Sequence, residues 1–146
     1  MFVLPADSPK WLEIANAELG VHEAAGGAIN PRIAEYYAAV GLHPSDDEVA
    51  WCSAFANFCM QQAGLSGSGS AAARSWLRWG RQIDLTRAQV GDVAVFWRDS
   101  AVGWKGHVAF FVGAAGGNLL VLGGNQGNAV SVAPYPRGRL LGLRRP

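Results

Sequence analysis

The chain carries little charge for its length. Only 16% of its 146 residues are Asp, Glu, Lys or Arg, and the net charge is +1. A protein so close to neutral offers no basic surface for nucleic acid or for an anionic membrane. No apolar run approaches the ~18 residues that a membrane span needs, and the first residues do not follow the signal-peptide pattern. We therefore expect synthesis in the cytoplasm without a leader, and neither nucleic acid nor a membrane span.

Cysteine is also scarce, since the chain has only Cys52 and Cys59. On one helix these two residues would lie about 10 Å apart along the axis. A disulfide needs Cα atoms within about 7 Å, so we expect no internal bridge. Two cysteines do not make a structural zinc site, and no metal or cofactor is predicted. Free thiols are typical of proteins made in a reducing cytoplasm.

Apolar residues, in contrast, make up 50% of the chain, which is enough for one core. We predict a single domain that spans residues 1–146. Helical spacing and capping signals predict helices at 8–20, 30–41, 52–64 and 71–79. Alternating patterns after Val90 predict strands at 93–97, 107–112, 119–122, 129–132 and 140–143. Helices followed by strands indicate the α+β class with an antiparallel sheet.

Cys52 is the first candidate for chemistry because it opens a predicted helix. Backbone N–H groups of a first turn and the helix dipole favour the thiolate, which is the nucleophilic form. A lone cysteine in an apolar helix is more often a core residue. Cys59, two turns deeper among aromatic residues, is better explained as core. The position of Cys52 predicts a reactive thiol with a lowered pKa.

His107 is the candidate base, since histidine exchanges protons near neutral pH and this one opens an apolar strand. His22 and His43 lie in turn-rich segments and are predicted to be solvated. A third group must accept the other imidazole N–H. No Asp or Glu follows Asp99, so Asn125 or Gln126 would have to supply a side-chain carbonyl. The same Gly- and Asn-rich segment also fits a hairpin turn.

The chain has six tryptophans, which suit either a core or a groove that holds peptide or sugar. We predict that Trp51, Trp76, Glu23 and Gln126 line the substrate cleft. The acidic run at residues 46–48 is either a solvated loop or a contact to a substrate amine. It lacks the ligand spacing of an EF-hand calcium loop.

Several motifs in order resemble the NlpC/P60 and CHAP group of papain-like cell-wall peptidases and amidases. They are Trp51-Cys52-Ser53-Ala54-Phe55, Gly91-Asp92-Val93, Gly106-His107-Val108 and Leu122-Gly123-Gly124-Asn125. The closer likeness is to the compact branch typical of phage endolysins and secreted bacterial lysins. The resemblance implies a papain-like fold in which the helix that Cys52 begins packs on the sheet. It implies a catalytic triad with Cys52 as nucleophile, His107 as base and Asn125 as the third member, which orients His107. Gln126 is the alternative third member.

The resemblance also implies a function. The substrate would be peptidoglycan, cut in the stem peptide by an endopeptidase or, alternatively, at the muramoyl–L-alanine amide. The enzyme would act as a monomer on the cell wall or in the periplasm after export or lysis, with a holin or an immunity protein according to its setting. A non-catalytic wall-binding or phage structural module and a thiol acyltransferase are the rival interpretations. CHAP members often carry a glutamate just before the third residue, where this chain has Gly123-Gly124.

Overall fold

The architecture is a layer of helices on one antiparallel sheet. The computed structural model describes residues 3–45, 47 and 49–146. The α-helices in this part are α1 (Lys10–Ala17), α2 (Pro31–Ala38) and α3 (Cys52–Gln62). The strands are β1 (Arg81–Ile83), β2 (Val93–Trp97), β3 (Gly106–Ala115), β4 (Asn118–Gly123), β5 (Ser131–Pro136) and β6 (Leu140–Arg145). The predicted α+β class is confirmed.

The strands form a six-stranded sheet in the order β1-β6-β2-β3-β4-β5. Each neighbouring pair is antiparallel. β2 and β3 lie side by side in the middle of the sheet, and both of their faces are covered by apolar residues. The start of β3 therefore sits in the most rigid part of the sheet, which matters for His107.

Helix starts follow from local chemistry, with one difference from the prediction. Asn30 accepts a hydrogen bond from the Arg32 backbone N–H and Pro31 takes the first position of α2, as the sequence pattern predicts. The helix predicted at 8–20 begins later than expected, and Ser8 does not cap it. The Ser8 hydroxyl donates to the Pro5 carbonyl at 2.8 Å, and α1 begins one residue after Pro9.

Elsewhere the structure differs from the prediction in the type, the start or the presence of an element. The predicted helix at 71–79 is a 3-10 helix, Ala73–Arg78. The predicted strand at 129–132 begins two residues later, as β5. β1 had no sequence signal, because it is a three-residue polar edge strand that exists by pairing with β6. A short strand of this kind is defined by its neighbour rather than by its own pattern.

The sheet buries apolar residues on both faces. The helix-side core includes Trp51, Phe55, Val108 and Phe110. The opposite face carries a smaller cluster around Phe96, Ala109 and Val121, with Tyr135 packed against it. Since successive strand residues point to opposite faces, His107 lies on the same face as Ala109 and as its cross-strand partner Phe96.

Two buried or partly buried ion pairs connect elements that are separate in the chain. The guanidinium of Arg145 donates to both carboxylate oxygens of the buried Asp92, at 2.7 and 2.9 Å, which connects β6 to the turn before β2. Glu18 receives hydrogen bonds from Arg32 and from the Tyr36 hydroxyl, connecting α1 to α2. Burial opposes ionisation of Glu18, but these bonds outweigh it and lower its pKa. Within the described residues, no helix is long and apolar enough to cross a membrane.

Candidate active site

Cys52 is the first residue of α3, and its side chain meets the start of β3. Only 4% of the residue is exposed. Backbone N–H groups of Val108 and Ser53 lie at the sulfur, and they and the charge of Arg98 favour the thiolate. Burial nevertheless dominates and raises the pKa of Cys52. The lowered pKa expected from the helix position is therefore wrong, because the dipole of a helix start does not replace the lost hydration.

His107 is the second residue of β3 and precedes the Val108 N–H that meets the thiol. It is 2% exposed. Burial lowers the pKa of His107 to about 4, against the opposing effect of a hydrogen bond to Gln126. The imidazole is thus neutral at pH 7 and able to accept a proton. Resting thiol and resting imidazole are both uncharged.

Gln126 holds the imidazole in one tautomer. Its Oε1 lies 2.9 Å from His107 Nε2. Its Nε2 donates to the Ser131 carbonyl at 2.7 Å and to the Val121 carbonyl at 3.3 Å, which directs Oε1 toward the histidine. An amide oxygen can only accept, so His107 Nε2 must carry the hydrogen. The lone pair is then on Nδ1, which is left free to accept a proton.

Asn125, the first choice from sequence for the third member, makes no side-chain hydrogen bond to any residue that the structure describes. Its backbone has φ 61°, in the left-handed region. Asparagine tolerates this conformation better than most residues. The turn therefore accounts for Asn125, and the hydrogen bond expected of it comes from Gln126 instead.

Gly123 and Gly124 bring this turn close to α3. A Cβ at Gly124 would lie 2.7 Å from Trp51 Cζ3 and 2.8 Å from Phe55 Cβ. A Cβ at Gly123 would lie 2.6 Å from Ala109 Cβ and 2.8 Å from Gln126 Oε1. Neither position has room for the glutamate found there in many proteins that the chain resembles. The two glycines let the Gln126 amide reach the histidine.

Tyr135 on β5 covers the imidazole and was not singled out from the sequence. Its ring stacks on His107 with centroids 4.6 Å apart and planes 9° apart. The same ring stacks on Phe96 at 5.0 Å. This cover keeps water from the imidazole and contributes to the burial that lowers its pKa. A tyrosine between two prolines gives no sequence signal for this role.

A cavity of about 230 Å³ adjoins Cys52. The residues that line it are Ala50, Cys52, Ala71, Ala72, Ala73, Arg98, Trp104, Lys105 and Gly106. One side is a wall of alanine methyl groups. The other side is the β2–β3 loop, where the Trp104 side chain is conspicuous because the residue is 79% exposed.

The predicted cleft residues lie elsewhere. Trp51 and Trp76 are fully buried in the core, so neither reaches the cavity. Trp51 Nε1 donates to Glu23 Oε2 at 3.0 Å, and Trp76 Nε1 donates to Ser53 Oγ at 2.9 Å. These two hydrogen bonds support the framework under Cys52. Gln126 is buried against His107 rather than placed in the cavity.

Three residues of the β2–β3 loop line the cavity and were not predicted as site residues: Arg98, Trp104 and Lys105. The sequence signal for them was the aromatic and basic pair Trp104-Lys105, shortly before His107. Arg74, on the 3-10 helix, holds this loop in place. Its guanidinium donates to the carbonyls of Ser100 (2.7 Å), Ala101 (3.0 Å) and Lys105 (2.6 Å).

No metal site emerges within residues 3–45, 47 and 49–146, where no three His, Cys, Asp or Glu side chains cluster. Of the acidic run considered as a substrate contact, Asp46 and Glu48 lie outside the described residues. Asp47 is buried and accepts hydrogen bonds from the backbone N–H groups of Ala24 (2.9 Å) and Asn30 (3.0 Å). Asp47 thus connects its loop to the start of α2.

A comparison of the sequence with family models decides the affiliation. The CHAP domain model matches residues 44–125, more than half of the chain. The chain belongs to the CHAP domain family. The matched segment contains Cys52 and His107 and ends one residue before Gln126. No curated protein matches the chain at a significant level.

Solved structures similar to this chain include NlpC/P60 domains. The peptidoglycan hydrolase RipB of Mycobacterium tuberculosis is 18% identical, with a TM-score of 0.61 over 93% of this chain and 62% of that one. An NlpC/P60 family protein of Bacillus cereus is 20% identical, with a TM-score of 0.59 over 93% and 39%. This CHAP chain thus spans less than two thirds of either protein.

A third similar structure is described as non-catalytic. RipD of Mycobacterium tuberculosis is an NlpC/P60 domain protein adapted to peptidoglycan binding. It is 18% identical, with a TM-score of 0.56 over 93% of this chain and 94% of that one. Together these structures establish the papain-like NlpC/P60 fold for the CHAP chain.

Proposed function

We propose that this CHAP protein hydrolyses peptide or amide bonds in the stem peptides of peptidoglycan. Cys52 is the nucleophile, His107 the general base and Gln126 the residue that orients His107. The observation that carries the proposal is the hydrogen bond between Gln126 Oε1 and His107 Nε2 at 2.9 Å. It leaves Nδ1 as the proton acceptor at the strand end where the Cys52 thiol lies.

The proposed reaction starts from the neutral pair. His107 Nδ1 takes the thiol proton while the Cys52 sulfur attacks the carbonyl carbon. The backbone N–H of Cys52, at the start of α3, stabilises the resulting oxyanion. His107 then protonates the leaving amine, and an acyl-enzyme remains. A water molecule then gives one proton to His107 while its hydroxide adds to the acyl carbon. The carbon–sulfur bond breaks, the acid is released, and His107 returns the proton to the Cys52 sulfur.

Peptidoglycan as the substrate is supported by the family and by the description of RipB as a peptidoglycan hydrolase. We favour an endopeptidase over an amidase that cuts the muramoyl–L-alanine bond. The cavity beside Cys52 is only about 230 Å³ and has a wall of alanine methyl groups. An extended peptide backbone fits such a space more readily than a muramoyl ring.

The test is digestion of purified sacculi of Gram-negative and Gram-positive type, with the Cys52→Ala variant as control. We expect soluble fragments from the wild-type protein only, and mass spectrometry of their new termini identifies the bond. Equal fragments from the variant would refute Cys52 as nucleophile. No fragments from any sacculus would refute the hydrolase.

A binding function without catalysis is the second candidate, and RipD is the observation in its favour. In that case the wild-type protein would sediment with sacculi and release nothing. A thiol acyltransferase would need an added amine and would join it to the acyl fragment. Digestion with and without such an amine separates transfer from hydrolysis.

A further inference from the structure

The cavity beside Cys52 carries positive charge that the proposed mechanism does not use. We propose that Arg98 binds a carboxylate of the substrate next to the scissile bond. Substrates with a free carboxylate at that position are then preferred over the same peptides with an amidated one. This inference rests on the proposed function and specifies the substrate class of the same site.

The charges of the cavity are all of one sign. Among its lining residues, Arg98 and Lys105 are the charged side chains, and both are basic. The whole chain has a net charge of only +1, so a basic cavity does not follow from general basicity. A local excess of positive charge at a cleft is complementary to an anionic ligand.

Of the basic groups at this loop, Arg98 is the one left for a ligand. Lys105 pairs with Asp99 at 3.2 Å and lies over the Trp104 ring. The Arg74 guanidinium is occupied by loop carbonyls. The guanidinium of Arg98 makes no hydrogen bond or ion pair with any described residue. A free guanidinium presents a planar fork that matches a carboxylate.

Arg98 is also close enough to act on the reacting groups. Burial has the largest effect on the pKa values of Cys52, His107 and Tyr135, and the positive charge of Arg98 lowers all three. A carboxylate bound there would therefore lie near the thiol rather than at a remote subsite. Trp104 beside it offers an exposed apolar surface for the rest of the peptide.

Stem peptides of peptidoglycan contain free carboxylates beside their peptide bonds, and these can also occur as amides. A matched pair of synthetic stem peptides, acid and amide at one position, isolates this single difference. The proteins to compare are the wild type, Arg98→Gln, Arg98→Lys and the control Arg81→Gln. Arg81 is an exposed arginine on β1 that does not line the cavity.

Binding is measured by calorimetry in the inactive Cys52→Ala background. Cleavage is measured with the proteins that retain Cys52. We expect the acid peptide to bind about tenfold more tightly than the amide, the size of one charge-assisted hydrogen bond. Arg98→Gln should abolish this preference, Arg98→Lys should keep part of it, and Arg81→Gln should keep it all. High salt should weaken it.

The outcomes separate this inference from the proposed function. Cleavage of both peptides at equal rates, with equal affinities, would leave the hydrolase standing and overturn the role of Arg98. A preference that survives in Arg98→Gln would overturn it as well. Preferential binding of the acid peptide, without cleavage by any of the proteins that retain Cys52, would support the anion site and refute the hydrolase.

Discussion

A buried thiol and a buried imidazole in their neutral forms set the chemistry at the residue scale. Burial raises the pKa of Cys52 and lowers that of His107 to about 4. The nucleophile would therefore form as the proton moves to His107 during attack, rather than exist beforehand as a stable ion pair. This makes the orientation of His107 decisive, because the transfer must occur within the Michaelis complex.

Orientation of His107 leads to a prediction about Gln126. Gln126→Ala should lower kcat on stem peptides about a hundredfold, because the imidazole loses the acceptor that fixes its tautomer. Asn125→Gly should retain activity, since glycine suits the left-handed backbone at this position and no hydrogen bond is lost. Steady-state kinetics on one peptide checks both. A larger loss in Asn125→Gly than in Gln126→Ala would restore Asn125 as the third member.

From the sequence, the third member of the triad could be either of two neighbouring residues, Asn125 or Gln126. Both side chains carry a carbonyl, and both follow β4. The choice depends on the turn, where the backbone of Asn125 reverses into the left-handed region and the Gln126 amide is fixed by Ser131 and Val121. A turn of this detail is defined by the pairing of β4 with β5, which a residue pattern does not specify.

At the scale of elements, the loop between β2 and β3 is held from outside. It carries Arg98 and Trp104, and its tip residue Val102 is almost fully exposed. Its fixed position depends on Arg74, whose guanidinium bonds three of its carbonyls. Arg74 therefore holds one wall of the cavity in place, although its own side chain does not line the cavity.

Removal of this support should loosen the loop. In Arg74→Ala we expect hydrogen exchange of residues 99–105 to accelerate at least tenfold, because the hydrogen bonds from a charged donor to three loop carbonyls are lost. KM should rise about tenfold with kcat nearly unchanged. Arg78→Ala on the same 3-10 helix is the control, since Arg78 bonds no described residue. Unchanged exchange in Arg74→Ala would show that the loop holds its own shape.

The elements themselves could mostly be predicted, and the exceptions have physical reasons. α2 and α3 begin where their sequence signals lie, and β2 to β4 follow their apolar patterns. β1 could not be predicted, because a polar three-residue strand depends on β6 for its hydrogen bonds. Trp51 and Trp76 looked like cleft residues, since aromatic side chains serve cores and clefts equally well.

At the scale of the whole molecule, His107 connects folding to pH. Its pKa is about 4 in the folded protein and ordinarily about 6.5. Between these values the unfolded chain binds a proton that the folded protein does not. The contribution of His107 to the free energy of unfolding is therefore fully present above about pH 6.5. It falls by about 3 kcal/mol as the pH decreases to about 4.

Urea unfolding at several pH values from 7 to 4.5 checks this prediction. The wild-type protein should lose stability progressively over this range, while His107→Gln should show a much flatter dependence. The range lies at or above the ordinary pKa of Glu18, 4.5, which limits the part that the Glu18 carboxylate plays. Parallel curves for the two proteins would contradict a buried neutral His107.

The fold class, the helix that Cys52 begins and the strand that His107 opens could all be predicted from residue order alone. These features follow from local periodicity and capping, which neighbouring residues specify. The residue that holds His107, the burial of the tryptophans and the direction in which the pKa of Cys52 shifts required the folded structure. Each of these depends on contacts between segments far apart in the chain, because burial and hydrogen-bond partners arise only when the helices pack on the sheet.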